Sequence, residues 1–204
     1  MIAQRLLIGT VALALVGGLS ACAPEAEPVA ETASPTPEPS VVETTAPEPE
    51  ELVFTMPADC TTILPQSRLD AFAGQSLELL GGPGSVFGND YFFDATPEQL
   101  AGGISCVYAQ DGVDRSSVLI SVAPVSTANR AEIIDDLTAQ SLNEATTESG
   151  ALTYGQQGDE SLAPAIYNVV TQASWIAVIS SLGGPAFYDE AVVLAGEVST
   201  QVNR

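Results

Sequence analysis

Residues 165–181 read AIYNVVTQASWIAVISS and carry the strongest structural signal in the chain. Two runs rich in β-branched and aromatic residues, Ala165 to Thr171 and Trp175 to Ser181, are separated by only three residues, Gln172 to Ser174. Such runs are typical of strands, and so short a connection predicts an antiparallel turn, because a parallel crossover needs a dozen or more residues. Leu152 to Gly155 predicts a further strand upstream. We therefore expect a three-strand antiparallel meander.

Two long amphipathic helices are predicted, one before this meander in the chain and one after it. Gly183-Gly184-Pro185 is typical of a helix start, and apolar residues follow it at spacings of three and four. This predicted face consists of Phe187, Ala191, Leu194, Val198 and Val202. Residues 128–145 show a similar pattern, with a predicted inner face of Ala131, Ile134, Leu137, Leu142 and Ala145. Each helix has one apolar stripe, which predicts packing against a sheet.

A β-hairpin and two short helices are predicted before these elements. The hairpin strands are Ile104 to Gln110 and Ser117 to Val122. Pro65 to Ala73 predicts a helix that ends at Gly74, and Thr96-Pro97-Glu98-Gln99 predicts a capping box. The predicted fold class is α+β: an antiparallel sheet of about five strands, hairpin plus meander, packed against two long helices on one face or on opposite faces.

The composition excludes several classes of catalytic site. The 204 residues include five Arg, no Lys, no His and 26 acidic residues, for a formal net charge of −21. Without His there is no Ser/His/Asp or Cys/His pair, and without Lys there is no P-loop or Schiff base. Such an acidic chain also repels the phosphates of nucleic acid. The sequence therefore predicts no enzyme, no cofactor, no metal site and no nucleic-acid partner.

The N-terminal residues predict export and lipid attachment. Arg5 precedes eleven residues of mostly apolar character, Leu6 to Val16, which is too short for a membrane span of roughly 20 residues. Leu19-Ser20-Ala21-Cys22 resembles the lipobox of bacterial lipoproteins. The resemblance implies cleavage between Ala21 and Cys22, a diacylglyceryl group on Cys22, and the lipid bilayer at the outer face of the cytoplasmic membrane as a partner. A plain secretory signal, or an uncleaved anchor, is the alternative.

Three segments are expected along the chain. Residues 1–21 form the lipoprotein signal peptide, and residues 22–52 form a lipidated Cys followed by an acidic tether. From residue 23 to residue 52 there are seven Pro and eight Glu and no aromatic residue, Gly, Arg or Lys, which predicts disorder. A docking motif or a glycosylated cluster in this tether is the alternative to a passive stalk. Residues 53–204 are long enough for one domain with its own core.

Two cysteines, Cys60 and Cys106, remain in this domain. Cysteines of exported proteins usually pair, so we expect one disulfide, with two separate buried thiols as the alternative. Cys60-Thr61-Thr62-Ile63-Leu64-Pro65, the helix to Gly74 and Gly103-Ile104-Ser105-Cys106-Val107-Tyr108 resemble actinobacterial lipoproteins of the DUF3558 type. This resemblance also implies the Cys60–Cys106 bridge and an envelope domain. It implies no chemistry.

One aromatic cluster is a candidate ligand or partner surface. Tyr91, Phe92 and Phe93 stand between polar residues, and exposed rings could bind a lipid tail, a sugar ring or a protein. In the alternative reading, two of the rings cover the sheet edge and one lies on the surface. The Gly-rich residues 81–88 before them predict a flexible connector.

Charged residues supply weaker candidates. The acidic pairs Asp135/Asp136, Asp159/Glu160 and Asp189/Glu190 raise the possibility of calcium binding or of carboxylate catalysis, but a solvated surface is the simpler reading. Arg68, Arg115 and Arg130 could each bind an anion, although pairing with surface acids is expected.

The sequence thus favours a membrane-anchored cell-envelope lipoprotein that acts as a non-enzymatic ligand-binding or accessory module. The alternatives are a carboxylate-dependent hydrolase of envelope glycans and a purely structural surface protein. A cavity between the two long helices and the sheet, with Tyr91 to Phe93 at its mouth, would favour the first reading. Two carboxylates facing each other across a groove would favour the hydrolase.

Overall fold

The computed structural model describes residues 53–204. The predicted signal peptide, Cys22 and the tether lie outside the described residues. The helices are α1 (Gln66–Gly74), α2 (Pro97–Leu100), α3 (Arg130–Ala139) and α4 (Pro185–Val202). The strands are β1 (Glu78–Gly81), β2 (Ile104–Ala109), β3 (Val118–Pro124), β4 (Asn143–Thr146), β5 (Leu152–Gln156), β6 (Ala165–Val170) and β7 (Ser174–Ser180). Short 3-10 turns lie at Cys60–Thr62 and Gly88–Tyr91.

All neighbouring strands of the described sheet are antiparallel, in the order β1-β2-β3-β7-β6-β5-β4. The predicted hairpin is β2–β3, and the predicted meander is β5–β6–β7. These two units form one sheet because β3 pairs with β7 along its whole length, from Val118 opposite Ser180 to Pro124 opposite Ser174. The α+β class and the antiparallel sheet are therefore confirmed, but the sheet has seven strands instead of about five.

Both additional strands lie at the edges of the sheet. The sequence predicts a flexible connector from Gly81 onwards. In the structure Gly81 is the last residue of β1, which pairs with β2. Strand β4 replaces the end of the helix predicted over 128–145. Helix α3 ends at Ala139 because Ser141 adopts a left-handed conformation, with φ 59°. Two residues of the predicted inner face are exposed: Ala145, because it lies in β4, and Ala131, because the buried face of α3 runs through Ile133 and Leu137.

The two long helices pack on opposite faces of the sheet. Successive side chains of a strand point to opposite faces, and the residues of β7 divide accordingly between two hydrophobic clusters. Ile176 and Val178 pack in a cluster with residues of α4, among them Ala191, Leu194, Ala195, Val198 and Val202. Trp175 and Ala177 pack in the other cluster, with Ile133 and Leu137 of α3. Phe187, predicted on the inner face of α4, is 36% exposed.

The two ends of the described range, residues 53–204, pair with each other. Val53 N–H donates to the Arg204 carbonyl at 2.8 Å and Arg204 N–H donates to the Val53 carbonyl at 3.1 Å. The predicted disulfide between Cys60 and Cys106 is present, with a Cα–Cα distance of 5.6 Å. It ties the 3-10 turn at Cys60–Thr62 to the middle of β2. Both cysteines are fully buried.

Helix α2 carries the predicted capping box and one buried acid. The Thr96 hydroxyl accepts from Gln99 N–H, and the Gln99 side chain accepts from Thr96 N–H. Glu98 is only 5% exposed and approaches the hydroxyls of Thr96 and Ser121. Burial raises the pKa of Glu98, an effect that those hydroxyl contacts only partly offset. The folded protein therefore holds the Glu98 proton more tightly than the unfolded chain does.

Replacing this buried acid should stabilise the fold at neutral pH. The pKa of Glu98 is raised in the folded state. The free energy of unfolding therefore falls as pH rises above the usual pKa of a Glu carboxyl, about 4.3, because the unfolded chain then releases this proton more readily than the folded protein. We expect Glu98→Gln to raise the unfolding free energy at pH 7 by on the order of 1 kcal/mol. The gain should shrink towards pH 4, as measured by urea unfolding across that range. Glu132→Gln, at an exposed position of α3, is the control. A loss of stability at pH 7 in Glu98→Gln would contradict the prediction.

Candidate functional site

A cleft of about 600 Å³ opens at one end of the α4 face of the sheet. Four segments form its walls: the end of α1, the β2–β3 connection, the end of β7 and the first half of α4. The apolar lining consists of Phe72, Leu77, Val113, Val118, Val178, Leu182, Phe187, Ala191 and Leu194. The polar lining consists of Gln75, Gln110, Asp114, Arg115, Ser116, Ser117, Ser180, Ser181 and Glu190. A volume of this size lies within the range of small-molecule sites.

The cleft lies beside the start of α4, where the helix covers only part of the sheet. Helix α4 begins after Gly184, whose φ of 106° favours glycine, and Pro185 occupies its first turn. The apolar face of α4 then covers β6 and β7, while β3 lies further out along the sheet. Val178 of β7 and Val118 at the start of β3 therefore form apolar floor beside the helix. Gln110 Nε2 donates to the Gln75 carbonyl at 2.8 Å, which joins the hairpin to the end of α1.

One polar group in the cleft lacks a partner. The Ser181 hydroxyl is buried and makes no hydrogen bond within residues 53–204. A buried hydroxyl without a partner is costly, and in native structures such groups are usually paired by protein, water or ligand. Ser181 follows the last residue of β7 and is one of the residues that line the cleft, but its hydroxyl oxygen itself is buried.

An ion-pair network fixes the helical side of the cleft. Arg68 of α1 donates through Nε and Nη2 to the two carboxylate oxygens of Glu197, at 2.7 and 2.8 Å, and through Nη1 to Glu190 at 2.6 Å. The Arg68 side chain is only 17% exposed. The hydrogen bond to Glu197 is the main cause that raises the pKa of Arg68. This bidentate geometry holds α1 against α4 and neutralises part of the acidic charge at Glu190.

Arg115 forms no such pair. Within residues 53–204 every ion pair under 4 Å belongs to Arg68. Arg115 instead donates to the backbone carbonyl of Ser161 at 2.8 Å and approaches the carbonyl of Ser181 at 3.4 Å. Its backbone is left-handed, with φ 58°, which is uncommon for a residue other than glycine. Pairing with a surface acid, expected for Arg68, Arg115 and Arg130, is thus confirmed for Arg68 but wrong for Arg115. It is also wrong for Arg130, which donates to the Thr171 carbonyl.

The aromatic cluster lies away from this cleft. Phe92 is half-buried and packs against the cluster of Leu80, Val107 and Ala109. The Tyr91 ring covers Gly81, where an added β-carbon would come within 2.7 Å of it, and it stacks on Phe87 with a centroid distance of 6.2 Å. Phe93 is 100% exposed. Of the three, only Phe92 lines a second cavity, of about 380 Å³, and none lines the first.

Two residues of the predicted acidic pairs, Asp159 and Glu190, make contacts within the domain. The Asp159 carboxylate accepts from Ser161 N–H at 2.9 Å and from Leu162 N–H at 2.7 Å, and hydrogen bonding, led by the Ser161 side chain, lowers its pKa. Glu190 pairs with Arg68. No group of three or more Cys, Asp or Glu side chains is placed to hold a metal ion in the part of the chain that the structure describes.

Comparisons with protein-family models, with curated proteins and with solved structures find no match to this chain. No helix within residues 53–204 is long and apolar enough to cross a membrane. The cleft itself was not predicted from the sequence. The available signal was indirect: the polar β2–β3 connection contains one cation, Arg115, whose position at the cleft rim depends on the fold.

Proposed function

We propose that this chain is a membrane-anchored cell-envelope lipoprotein whose domain binds a small, largely apolar ligand without catalysing a reaction. One observation carries the binding role: the 600 Å³ cleft, whose lining combines apolar side chains with polar and charged ones. Such sites are typically apolar with a few placed polar groups that orient the ligand. The sequence supports a binding role over catalysis, since it contains no His and no Lys.

The anchor is proposed from the sequence alone. Leu19-Ser20-Ala21-Cys22 resembles a lipobox, and two acyl chains on one cysteine satisfy the two-signal requirement for stable membrane attachment. The acidic tether then holds the domain away from the bilayer, at the outer face of the cytoplasmic membrane. The resemblance to DUF3558-type lipoproteins agrees with an envelope location and leaves the ligand or protein partner open.

Removing the lipidated residue should block processing of the chain or release the domain from the membrane. We expect Cys22→Ala to leave the protein at its precursor size or to shed it from the cell, because the acyl group has no other attachment point in the motif. Membrane fractionation and intact mass of the recovered protein measure both outcomes. Ser40→Ala, in the tether, should behave as the unmodified chain. A Cys22→Ala protein that remains in the membrane at mature size would show that the lipobox reading is wrong.

The binding role is tested by native mass spectrometry. The mature chain, residues 22–204 with Cys22→Ser to allow purification without detergent, is incubated with envelope extract and desalted. A reproducible added mass is expected on the folded protein. A clean apo mass would contradict ligand binding and would favour a structural or scaffolding role.

One observation favours a second function. Asp114 and Glu190 line the same cleft, and glycoside hydrolases use a pair of carboxyl groups across a groove. Glu190 is, however, already bound to Arg68 at 2.6 Å. Incubation with envelope glycans, with Asp114→Asn as the control, distinguishes the two functions: hydrolysis lost in the variant would replace the binding proposal.

A further inference from the structure

The polar and apolar side chains that line the cleft identify a ligand class, on the premise that the proposed binding function is correct. We infer that the cleft takes an amphiphile with one apolar chain and an anionic head, and that Arg115 binds the head. The head is a carboxylate or a phosphate group, either of which offers the oxygen pairs that a guanidinium recognises.

The first support is the position of Arg115. A guanidinium has five N–H donors, and here two of its nitrogens contact the carbonyls of Ser161 and Ser181, which leaves donors for a ligand. These two contacts come from separate segments of the chain and hold the side chain in place before any ligand arrives. The left-handed backbone at Arg115 is the kind of local strain that accumulates at functional sites.

The second support is the charge around Arg115. The domain has 18 acidic residues and four arginines, yet no carboxylate of residues 53–204 lies within 4 Å of this guanidinium. Of the two acids in the cleft lining, Glu190 is paired with Arg68, and Asp114 is exposed to solvent. At physiological salt, exposed charges more than about 8 Å away are largely screened. Asp114 is closer, since it is the chain neighbour of Arg115, but its carboxylate is solvated, so we expect direct contact with the guanidinium to outweigh its repulsion of an anionic head.

The third support is the apolar remainder of the cleft. Val118, Val178, Ala191 and Leu194 are apolar residues of the cleft lining. Val178, Ala191 and Leu194 are at most 1% exposed and belong to the core beneath it, whereas Val118 packs against that core and stays partly exposed. Two further apolar lining residues stay open to solvent, Val113 at 52% and Phe187 at 36% exposure. Exposed apolar side chains next to a cleft are typical of a binding groove, and here they flank the way in for a hydrocarbon chain.

The test compares ten-carbon ligands that differ only in the head. The mature chain with Cys22→Ser is titrated calorimetrically, below micelle-forming concentrations, with decanoate, decyl phosphate, 1-decanol and decyltrimethylammonium. We expect at least one anionic ligand to bind at least ten-fold more tightly than 1-decanol, and the cationic ligand to bind most weakly. The tighter of the two anions identifies the head group as carboxylate or phosphate.

The arginine is tested by a matched pair of variants. Arg115→Gln should reduce the preference for the anion over 1-decanol to less than three-fold. Arg130→Gln removes the same charge outside the cleft lining and should keep the full preference. Should Arg115→Gln fail to fold, Arg115→Lys replaces it: the charge remains but the paired N–H donors are lost, so the preference should fall below that of the unmodified chain, and an unchanged preference would contradict the role of Arg115.

The outcomes separate this inference from the proposed function. Equal binding of the anionic and neutral ligands, or tighter binding of the cation, overturns the anionic head while the ligand-binding function stands. An anion preference that survives Arg115→Gln overturns the role of that residue. No binding of any decyl ligand overturns the amphiphile, and the envelope-extract experiment then decides separately whether the cleft binds anything.

Discussion

Loss of the Cys60–Cys106 disulfide should lower the free energy of unfolding by roughly 2–5 kcal/mol, which is a large part of the stability of a domain of this size. The bridge joins residues 46 positions apart, and the loop-entropy model gives about 4 kcal/mol for a loop of that length. Both cysteines are fully buried, so the double variant Cys60→Ala/Cys106→Ala avoids leaving one free thiol in the core.

The measurement uses the only tryptophan of the chain. Trp175 is 4% exposed and lies in the core on the α3 side of the sheet, so its fluorescence reports global unfolding in urea. The control is the unmodified protein, unfolded with and without reductant, which should reproduce most of the difference between the two chains. A double variant with an unchanged urea midpoint would contradict the prediction and would mean that packing around α4 alone holds the N-terminal turn.

Filling the cleft should abolish ligand binding. Val118 lies at the start of β3, is partly exposed and lines the apolar floor, so an indole at this position would occupy the space proposed for the ligand. We expect Val118→Trp to remove the added mass in native mass spectra and to weaken binding of decyl ligands by more than ten-fold. The cost to folding should be small, below about 1–3 kcal/mol, because the new side chain enters open space and not a filled core.

A matched substitution separates this effect from general hydrophobicity. Val192 lies on α4, is 37% exposed and is outside the cleft lining. Val192→Trp therefore adds the same indole group to the surface of the domain without entering the cleft. Val192→Trp should bind normally. Both variants are first compared by circular dichroism and thermal unfolding. Undiminished binding by a folded Val118→Trp protein would show that the ligand lies outside this cleft.

The meander and the last helix could be predicted because their signals are local. Strands β6 and β7 are apolar runs bounded by a short turn, and α4 shows helical spacing over 18 residues. The disulfide could be predicted as well, because only two cysteines remain in the domain. None of these predictions required knowing what lay beside each segment in space.

The edge strands could not be predicted because they depend on a neighbouring strand and carry no local signal of their own. Strand β4 is four exposed residues, Asn143–Thr146, with no apolar alternation, and it is a strand only because β5 lies beside it. Helical periodicity continued through these residues, so the sequence favoured a longer α3. The turn at Ser141, a residue that seldom takes a positive φ, ended the helix earlier.

The sequence by itself determined the α+β class, the antiparallel pairing and the chemical inventory, an acidic chain without His or Lys. These follow from residue types and from periodicities that repeat within a few positions. Only the tertiary structure decided which faces the helices cover, where the cleft opens, and that Arg68 is paired whereas Arg115 is not. The physical reason is that burial and ion pairing depend on neighbours far apart in the chain. The Arg68 bond to Glu190 spans 122 positions, and the contact of Arg115 with Ser181 spans 66.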